Sequence, residues 1–459
     1  MSTGFDAPEE NEEADRLDRR IVADRILSLL TEAPSDWSLR VGLLGEWGEG
    51  KTTVAKWVAT RASKQGHVVV WYNPWSAHSE ADLWFGFAVA LFEALEKAGI
   101  EVEGSRRLRA NVGIKKWSEW PRKLSQASKV SETAFSLVEG VIRIGKKDIR
   151  TVRSKLGSHR VVVIIDDTDR VDPNLLPSLL LTVRNVLDLE GFSFLLPFDE
   201  AVVSATLGAY NPAWGSGTKF LDKILDFKVS LPEPTSAQCW SIFSNVVSAV
   251  SSSIPVDRMS PISDSLPKNP RRLKAVVRAL ATFGREVSRY GVDDVDWLAI
   301  VFALMIKQES PAFFAAYTQE TFREVTTNIW LSLLIDRDDA TKTQEKERIR
   351  LLLEKYARAV PETHKRIYEL CENWRRLHGL AGFAQIRNSL RLLDCPPTLN
   401  KTEVDTVLAE WLSNERPARV TEWITFQAKS RHITSHQFVA DLFSFRLNDT
   451  TSFWRGQPK

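Results

Sequence analysis

Between Gly45 and Thr53 the chain reads Gly-Glu-Trp-Gly-Glu-Gly-Lys-Thr-Thr, and this run restricts the possible folds more than any other. It matches G-x-x-x-x-G-K-[ST], a loop that cradles phosphate only when a strand delivers it and a helix begins at its end. Both flanks comply. Leu39 to Leu44 is a short apolar strand candidate, and Thr53 to Ala59 is compatible with a helix. In that geometry Gly45, Gly48 and Gly50 let backbone N–H groups approach a triphosphate at a helix N-terminus, where the dipole favours anions. The candidate cradle is therefore Gly45, Gly48, Glu49, Gly50, Lys51, Thr52 and Thr53. Lys51 is placed to reach the β- and γ-phosphates, and the Thr52 hydroxyl to ligand Mg²⁺.

Such a cradle needs a carboxylate at the end of a neighbouring strand to hold the metal through its water shell. Val161 to Ile165 is the plainest buried strand in the chain and delivers Asp166 and Asp167. Asp166 is the metal-side candidate, and Asp167 is placed to orient or deprotonate an attacking water. Thr168-Asp169-Arg170 adds charge at the same edge. Further strands are expected at His67 to Tyr72, Phe192 to Phe198 and Phe227 to Leu231. Continuous apolar runs of this kind suit a parallel sheet covered on both faces. Helices are expected between them: one carrying Leu17, Ile21, Ile26 and Leu30 roughly along one face, one from about Glu80 to Ala98, and one with Pro173 in its first turn that runs to about Asp188. Alternating strands and helices define an α/β fold with a parallel sheet. After Pro234 only helical periodicity remains, clearest at Val295 to Ile306, Thr343 to Tyr356, His364 to Leu377 and Val404 to Leu412.

Six motifs in order resemble the KAP family of P-loop NTPases. Gly45-Glu46-Trp47-Gly48 before Gly50-Lys51-Thr52 is similar to its G-x-W-G-x-G-K-[ST] loop, and Asn73-Pro74-Trp75 to its N-x-W element. Asp166-Asp167-Thr168-Asp169-Arg170 resembles its D-D-x-D-R form of the Walker B strand. Phe198-Asp199, Phe220 to Ile224 and Asn269-Pro270-Arg271-Arg272 follow at matching spacing. The resemblance covers roughly residues 15 to 290. It implies an ATPase module, with ATP and Mg²⁺ as cofactors and a role in bacterial exclusion of phage or mobile DNA. It also implies that Arg271, with Arg272 behind it, senses the γ-phosphate from a lid helix. The catalytic set it implies is Asp167, Lys51 and Arg271. Asp199 reads equally as an ordinary strand-end acid. Arg170 and Lys223 are candidates either for contacts across a subunit boundary or for plain salt bridges. Glu49 stands where the family usually has Ser, and its charge would weaken nucleotide affinity. Trp47 is expected to pack under the loop or beside the Trp75 element.

The organisation expected from these readings is an acidic disordered tail (1–14), a core (15–103 and 160–234), a basic helical insert (104–159), a helical lid (235–290) and an all-α C-terminal region (291–459). Through the insert and on to its boundary, fifteen basic residues from Arg106 to Arg160 face four acidic ones, with Trp117 and Trp120 interleaved. That pattern suits a solvated hairpin, an acidic partner protein, nucleic acid or an anionic membrane surface. Membrane helices of the kind many family members carry there are not expected, because Glu132, Glu139 and Arg143 interrupt the run from Val130 to Ile144. Cys239, Cys371 and Cys395 are too few and too far apart for a disulfide framework, which suits a cytoplasmic location. His432 and His436 have helical metal-ligand spacing but no third ligand nearby. The function expected is Mg²⁺-dependent ATP hydrolysis that switches the helical half of the chain within a multiprotein assembly. Such an assembly could include a homo-oligomer and an effector protein that turnover depends on. The alternatives are a nucleotide-loaded scaffold with negligible turnover and a motor stimulated by nucleic acid bound at 104–160.

Overall fold

The computed structural model describes residues 11–34, 36–103, 146–185, 189–214, 218–250, 254–282, 296–314, 361–377, 417–430 and 434–439, with a few isolated positions between them. Most of the basic insert, including Trp117 and Trp120, lies outside the described residues, as do Thr343 to Tyr356 for the most part, His432 and Cys395. Among the described residues no helix is long and apolar enough to cross a membrane.

The chain divides into two units, residues 1–234 with 269–271, and residues 235–268 with 272–459. The first holds a five-stranded parallel sheet, β1 (Leu39–Leu44), β2 (Val68–Tyr72), β3 (Val161–Ile165), β4 (Phe192–Phe198) and β5 (Phe227–Ser230), in the order β2-β3-β4-β1-β5. Strand side chains alternate between two cores. Val161, Val163 and Ile165 face one side with Phe194 and Phe198, while Val162 and Ile164 face the other with Val41 and Leu43. Helices α1 (Arg19–Thr31) and α2 (Lys51–Lys64) cover the second face. The first face is covered by α3 (Glu80–Lys97), α4 (Lys146–Leu156), α5 (Leu176–Asn185), α6 (Glu200–Tyr210) and α7 (Thr218–Ile224). Two-sided burial explains why these strands read as unbroken apolar runs. The exception at the edge is β5, where Phe227 and Ser230 are exposed.

Two arginines sit inside this core for stated reasons. Arg40 of β1 donates to the carbonyls of Val183 and Arg184, both at 3.1 Å, and pairs with Asp226 at 3.6 Å. Arg160, grouped above with the insert's surface charge, is 1% exposed. It donates to Ser193 Oγ at 2.9 Å and to the carbonyls of Ala33, Pro34, Phe192 and Trp37. That many acceptors satisfy a buried guanidinium, so it ties the loop before β1 to the start of β4.

Three further expectations change. The buried stripe of α1 is Arg19, Val22, Ala23, Ile26, Leu27 and Leu30, which leaves Ile21 70% exposed. A spacing of five from Ile21 to Ile26 does not stay on one helical face. Residues Glu12–Ala14 form a 3₁₀ turn capped by Asn11, and Glu12 pairs with Arg61, so the tail's last residues are tied to α2. Pro173 lies in a turn, and α5 begins three residues later at Leu176.

The second unit is helical, and no strand occurs among its described residues. Helices α8 (Ser236–Val250), α9 (Pro270–Thr282, from Arg272 on), α10 (Trp297–Glu309) and α11 (Pro361–Leu377) enclose Phe243, Met259, Val276, Ile300, Phe302 and Ile367. A smaller cluster joins Val420, Ile424 and Ala428 of α12 (Pro417–Ser430) to Phe438 and Val407.

Candidate functional site

The loop after β1 turns into α2 through Gly48 and Gly50, whose φ values of +94° and +98° favour glycine. Gly48 needs the absence of a side chain twice over. A Cβ there would lie 2.7 Å from Arg271 Cβ and 2.9 Å from Asn269 Oδ1. Gly50 is the residue before α2, and Lys51, Thr52 and Thr53 form its first turn, where backbone N–H groups lack helical partners. The Lys51 ammonium donates to Gly45 O at 2.9 Å and Glu46 O at 3.1 Å, and lies 3.7 Å from Asp169 Oδ2.

Asp166 and Asp167 stand at the end of β3, as expected, but β3 is not the neighbour of β1. Strand β4 is interposed and pairs with both. The carboxylate nonetheless reaches the helix: the Thr52 hydroxyl donates to Asp166 Oδ1 at 3.3 Å. Burial, with the charge of Asp167 beside it, pushes the Asp166 carboxyl up to about 6. A hydroxyl and a carboxylate side by side are hard oxygen donors, and they fit Mg²⁺ completed by water and phosphate oxygens. Among the described residues no cluster of three or more His, Cys, Asp or Glu could hold a metal by itself.

Asp167 adopts φ +54°, a left-handed conformation that costs energy outside glycine. Asn73 Nδ2 donates to its Oδ2 at 2.8 Å, while Asn73 Oδ1 accepts from Trp75 N at 3.0 Å. Arg170 Nε lies 3.2 Å from Asp167 Oδ1. Asp199 caps α6 by accepting from the N–H groups of Ala201 and Val202, and its own N–H donates to Asp169 Oδ2 at 2.9 Å.

Glu49 folds its carboxylate back onto the loop, where Oε2 accepts from Glu46 N at 2.8 Å. Burial pushes its carboxyl up, and the Glu46 N–H bond, Arg19 and Lys51 oppose that rise. The carboxylate therefore braces the loop from within. Trp47 is not packed under the loop: it is 59% exposed. Arg271 places its guanidinium 4.1 Å from the Trp47 ring centroid, and Arg170 lies 5.6 Å from it. Asn269 Nδ2 donates to Trp47 O at 2.9 Å. Arg271 is thus at the loop, whereas Arg272 pairs with Glu309 at 3.1 Å in the second unit. Lys223 lies in the last turn of α7, and the ion pairs there belong to Lys228, with Glu200 at 2.8 Å and Asp222 at 2.6 Å.

Sequence reasoning left four residues without a role. Asp169 faces Lys51, Asn73 holds Asp167, and Asn269 grips the loop carbonyl. All three lie inside motifs already noticed, so a signal existed. Arg19 had none. It is 3% exposed, donates to Pro232 O at 2.7 Å, and its charge acts on Glu49 through space.

The chain is 23% identical over 263 residues to the phage T7 exclusion protein of Escherichia coli (strain K12), a match covering 50% of this chain and 35% of that one. The chain thus spans about a third of the length of this curated relative. Among solved structures it is similar to Cdc6p from Pyrobaculum aerophilum, at TM-score 0.43 and 13% identity, covering 81% of this chain and 89% of that one. It is also similar to a Walker-type ATPase of Pyrococcus abyssi, at TM-score 0.38 and 12% identity, covering 85% and 99%. The KAP family P-loop domain matches residues 19–287, more than half of the chain and the whole of the site just described, and the chain belongs to that family.

Proposed function

We propose that this chain binds ATP with Mg²⁺ at the C-terminal edge of its sheet, hydrolyses it, and uses the cycle to switch its helical half within an assembly that excludes phage. The observation that carries the reading is the 3.3 Å hydrogen bond from Thr52 to Asp166, made across the intervening strand beside Lys51 and Asp169. Mg²⁺, when bound there, supplies positive charge against the phosphate oxygens. The chain's own residues do the rest. Lys51 exchanges its carbonyl partners for phosphate oxygens, and the N–H groups opening α2 receive the remainder of that charge. Asp167 orients a water and takes its proton as the water oxygen bonds to the γ-phosphorus and the bond to the β-phosphate oxygen breaks. Arg271 reads whether a γ-phosphate is present, a role supported by its stacking on Trp47 of the loop. Residues 235–290 then serve as the lid that carries this signal. Phage exclusion is supported by the name of the relative alone.

The test is a pair of variants. Lys51→Ala should lose nucleotide binding, and Asp167→Asn should keep the nucleotide but stop phosphate release. One observation favours a second reading, a nucleotide-loaded scaffold: both Asp167 oxygens are already engaged, by Asn73 and Arg170. If the wild type with its partners releases no more phosphate than Asp167→Asn, the scaffold reading holds. In cells, Asp167→Asn should also abolish any reduction in phage plating if hydrolysis drives exclusion.

A further inference from the structure

Four side chains, from three loops and the first turn of α9, form one column. Arg271 stacks on Trp47 at 4.1 Å, Arg170 lies 5.6 Å from the Trp47 centroid, and the same guanidinium lies 5.1 Å from the centroid of Trp75. Both indoles are more than half exposed, so the column is not held by burial in a core. Its middle member also touches the chemistry. Arg170 Nε lies 3.2 Å from Asp167 Oδ1, while Asn73, one residue before the turn that presents Trp75, donates to the other oxygen at 2.8 Å. Asp167 itself is in a left-handed conformation, one of two described non-glycine residues with positive φ. A carboxylate on a strained backbone takes its aim from such partners.

We infer that Arg170 is a positioning residue that carries the state of the phosphate loop, through Trp47, to the Asp167 carboxylate, with Trp75 as the second face that keeps its guanidinium in register. The inference rests on the hydrolytic reading of Asp167 above. The physical basis is the shape of arginine. A guanidinium is planar and permanently charged, so it presents N–H donors in its plane and stacks on aromatic rings with its faces. A lysine could keep the charge near Asp167 but not the two stacking contacts. Trp47 sits between glycines in the loop that must adjust to phosphate, so its ring moves when the loop does. Arg170 is the residue that both this ring and Asp167 touch.

The experiment uses the full chain with Trp labelled as 5-fluorotryptophan, the fluorine resonances of Trp47 and Trp75 being assigned with Trp47→Phe and Trp75→Phe. The probe is ADP or a non-hydrolysable ATP analogue with Mg²⁺. In the wild type both resonances should move on addition. In Arg170→Ala the Trp47 resonance should still move and that of Trp75 should not. Single-turnover hydrolysis by Arg170→Ala should fall about 30-fold or more while nucleotide affinity stays within about threefold. Arg170→Lys should recover less than a tenth of the lost rate. Trp75→Ala, a change at an exposed residue, should slow the step in the same direction and add little to Arg170→Ala. Loss of folding in Arg170→Ala, seen as a collapsed melting transition, leaves Trp75→Ala to decide. A Trp75 response that survives Arg170→Ala, or wild-type turnover in both variants, overturns the coupling. Coupled resonances in a wild type that releases no phosphate would sink the hydrolytic reading and leave the coupling standing. Failure to bind nucleotide overturns both.

Discussion

Asp166 should make the free protein less stable than its asparagine variant. The carboxyl is 5% exposed, lies beside Asp167, and is pushed from its ordinary 3.8 up to about 6. At about 1.4 kcal/mol per pH unit, keeping it ionised at pH 7.5 costs the folded state about 3 kcal/mol. The sign follows from proton uptake. The folded state holds its proton more tightly, so stability falls as pH rises from about 4 through 6, and the full cost is present above about pH 7. Asp166→Asn removes the charge, yet its amide oxygen can still accept from Asp167 N and from Thr52, which now lie 3.0 and 3.3 Å from Oδ1. After a discount for those weaker bonds, about 2 kcal/mol should remain, or about 4–8 °C in melting temperature for a unit of this size. The assay is thermal unfolding of wild type and variant in chelator, at intervals from pH 4 to 8. The gap should be full at pH 7.5 and nearly gone at pH 4. Adding Mg²⁺ and ATP at about 100 times the dissociation constant should stabilise the wild type by about 2.7 kcal/mol and the variant far less. A variant less stable than wild type at pH 7.5, or a gap that ignores pH, would refute the argument.

Three other outcomes follow from the same contacts. Gly48→Ala puts a Cβ 2.7 Å from Arg271 Cβ at φ +94°, and should lower nucleotide affinity at least tenfold and stability by about 1–3 kcal/mol, measured by calorimetry and melting. Arg160→Met removes the shared donor to the carbonyls of Ala33, Pro34, Trp37 and Phe192, of which Trp37 O keeps the Gly191 N–H, and should cost about 3–5 kcal/mol in denaturant unfolding; a cost below about 1 kcal/mol would show the other carbonyls find donors too. Glu49→Gln keeps an acceptor for Glu46 N but removes the counter-charge to Arg19. It should raise nucleotide affinity by up to about threefold and lower the melting temperature by a few degrees, both readable by nucleotide titration during melting.

Much of this was legible in the chain because the causes are local. A glycine loop between an apolar strand and a helix allows few structures, and all five strands fall within a residue or so of their apolar runs. The motif also named Lys51, Thr52, Asp166 and Asp167 before any contact was known. What it could not supply was strand order. A parallel sheet with long crossovers leaves the neighbour of each strand open, and the interposition of β4 between β1 and β3 is decided by packing over the whole sheet. Nor could a run of basic residues distinguish Arg160, whose acceptors lie more than a hundred residues away in Ala33, Pro34 and Trp37, from charges on a surface.

The Gly45 to Thr53 run thus determined by itself that a glycine loop would open onto a helix, because backbone geometry at Gly48 and Gly50 and the start of α2 are set by neighbours in sequence. Only the tertiary structure decided what surrounds that loop. It placed Asp169 against Lys51, folded the Glu49 carboxylate back onto Glu46 N, and set Arg170 between two indoles and Asp167. Each of these joins segments distant in sequence, where side-chain identity says what can pair but only the packed fold says what does.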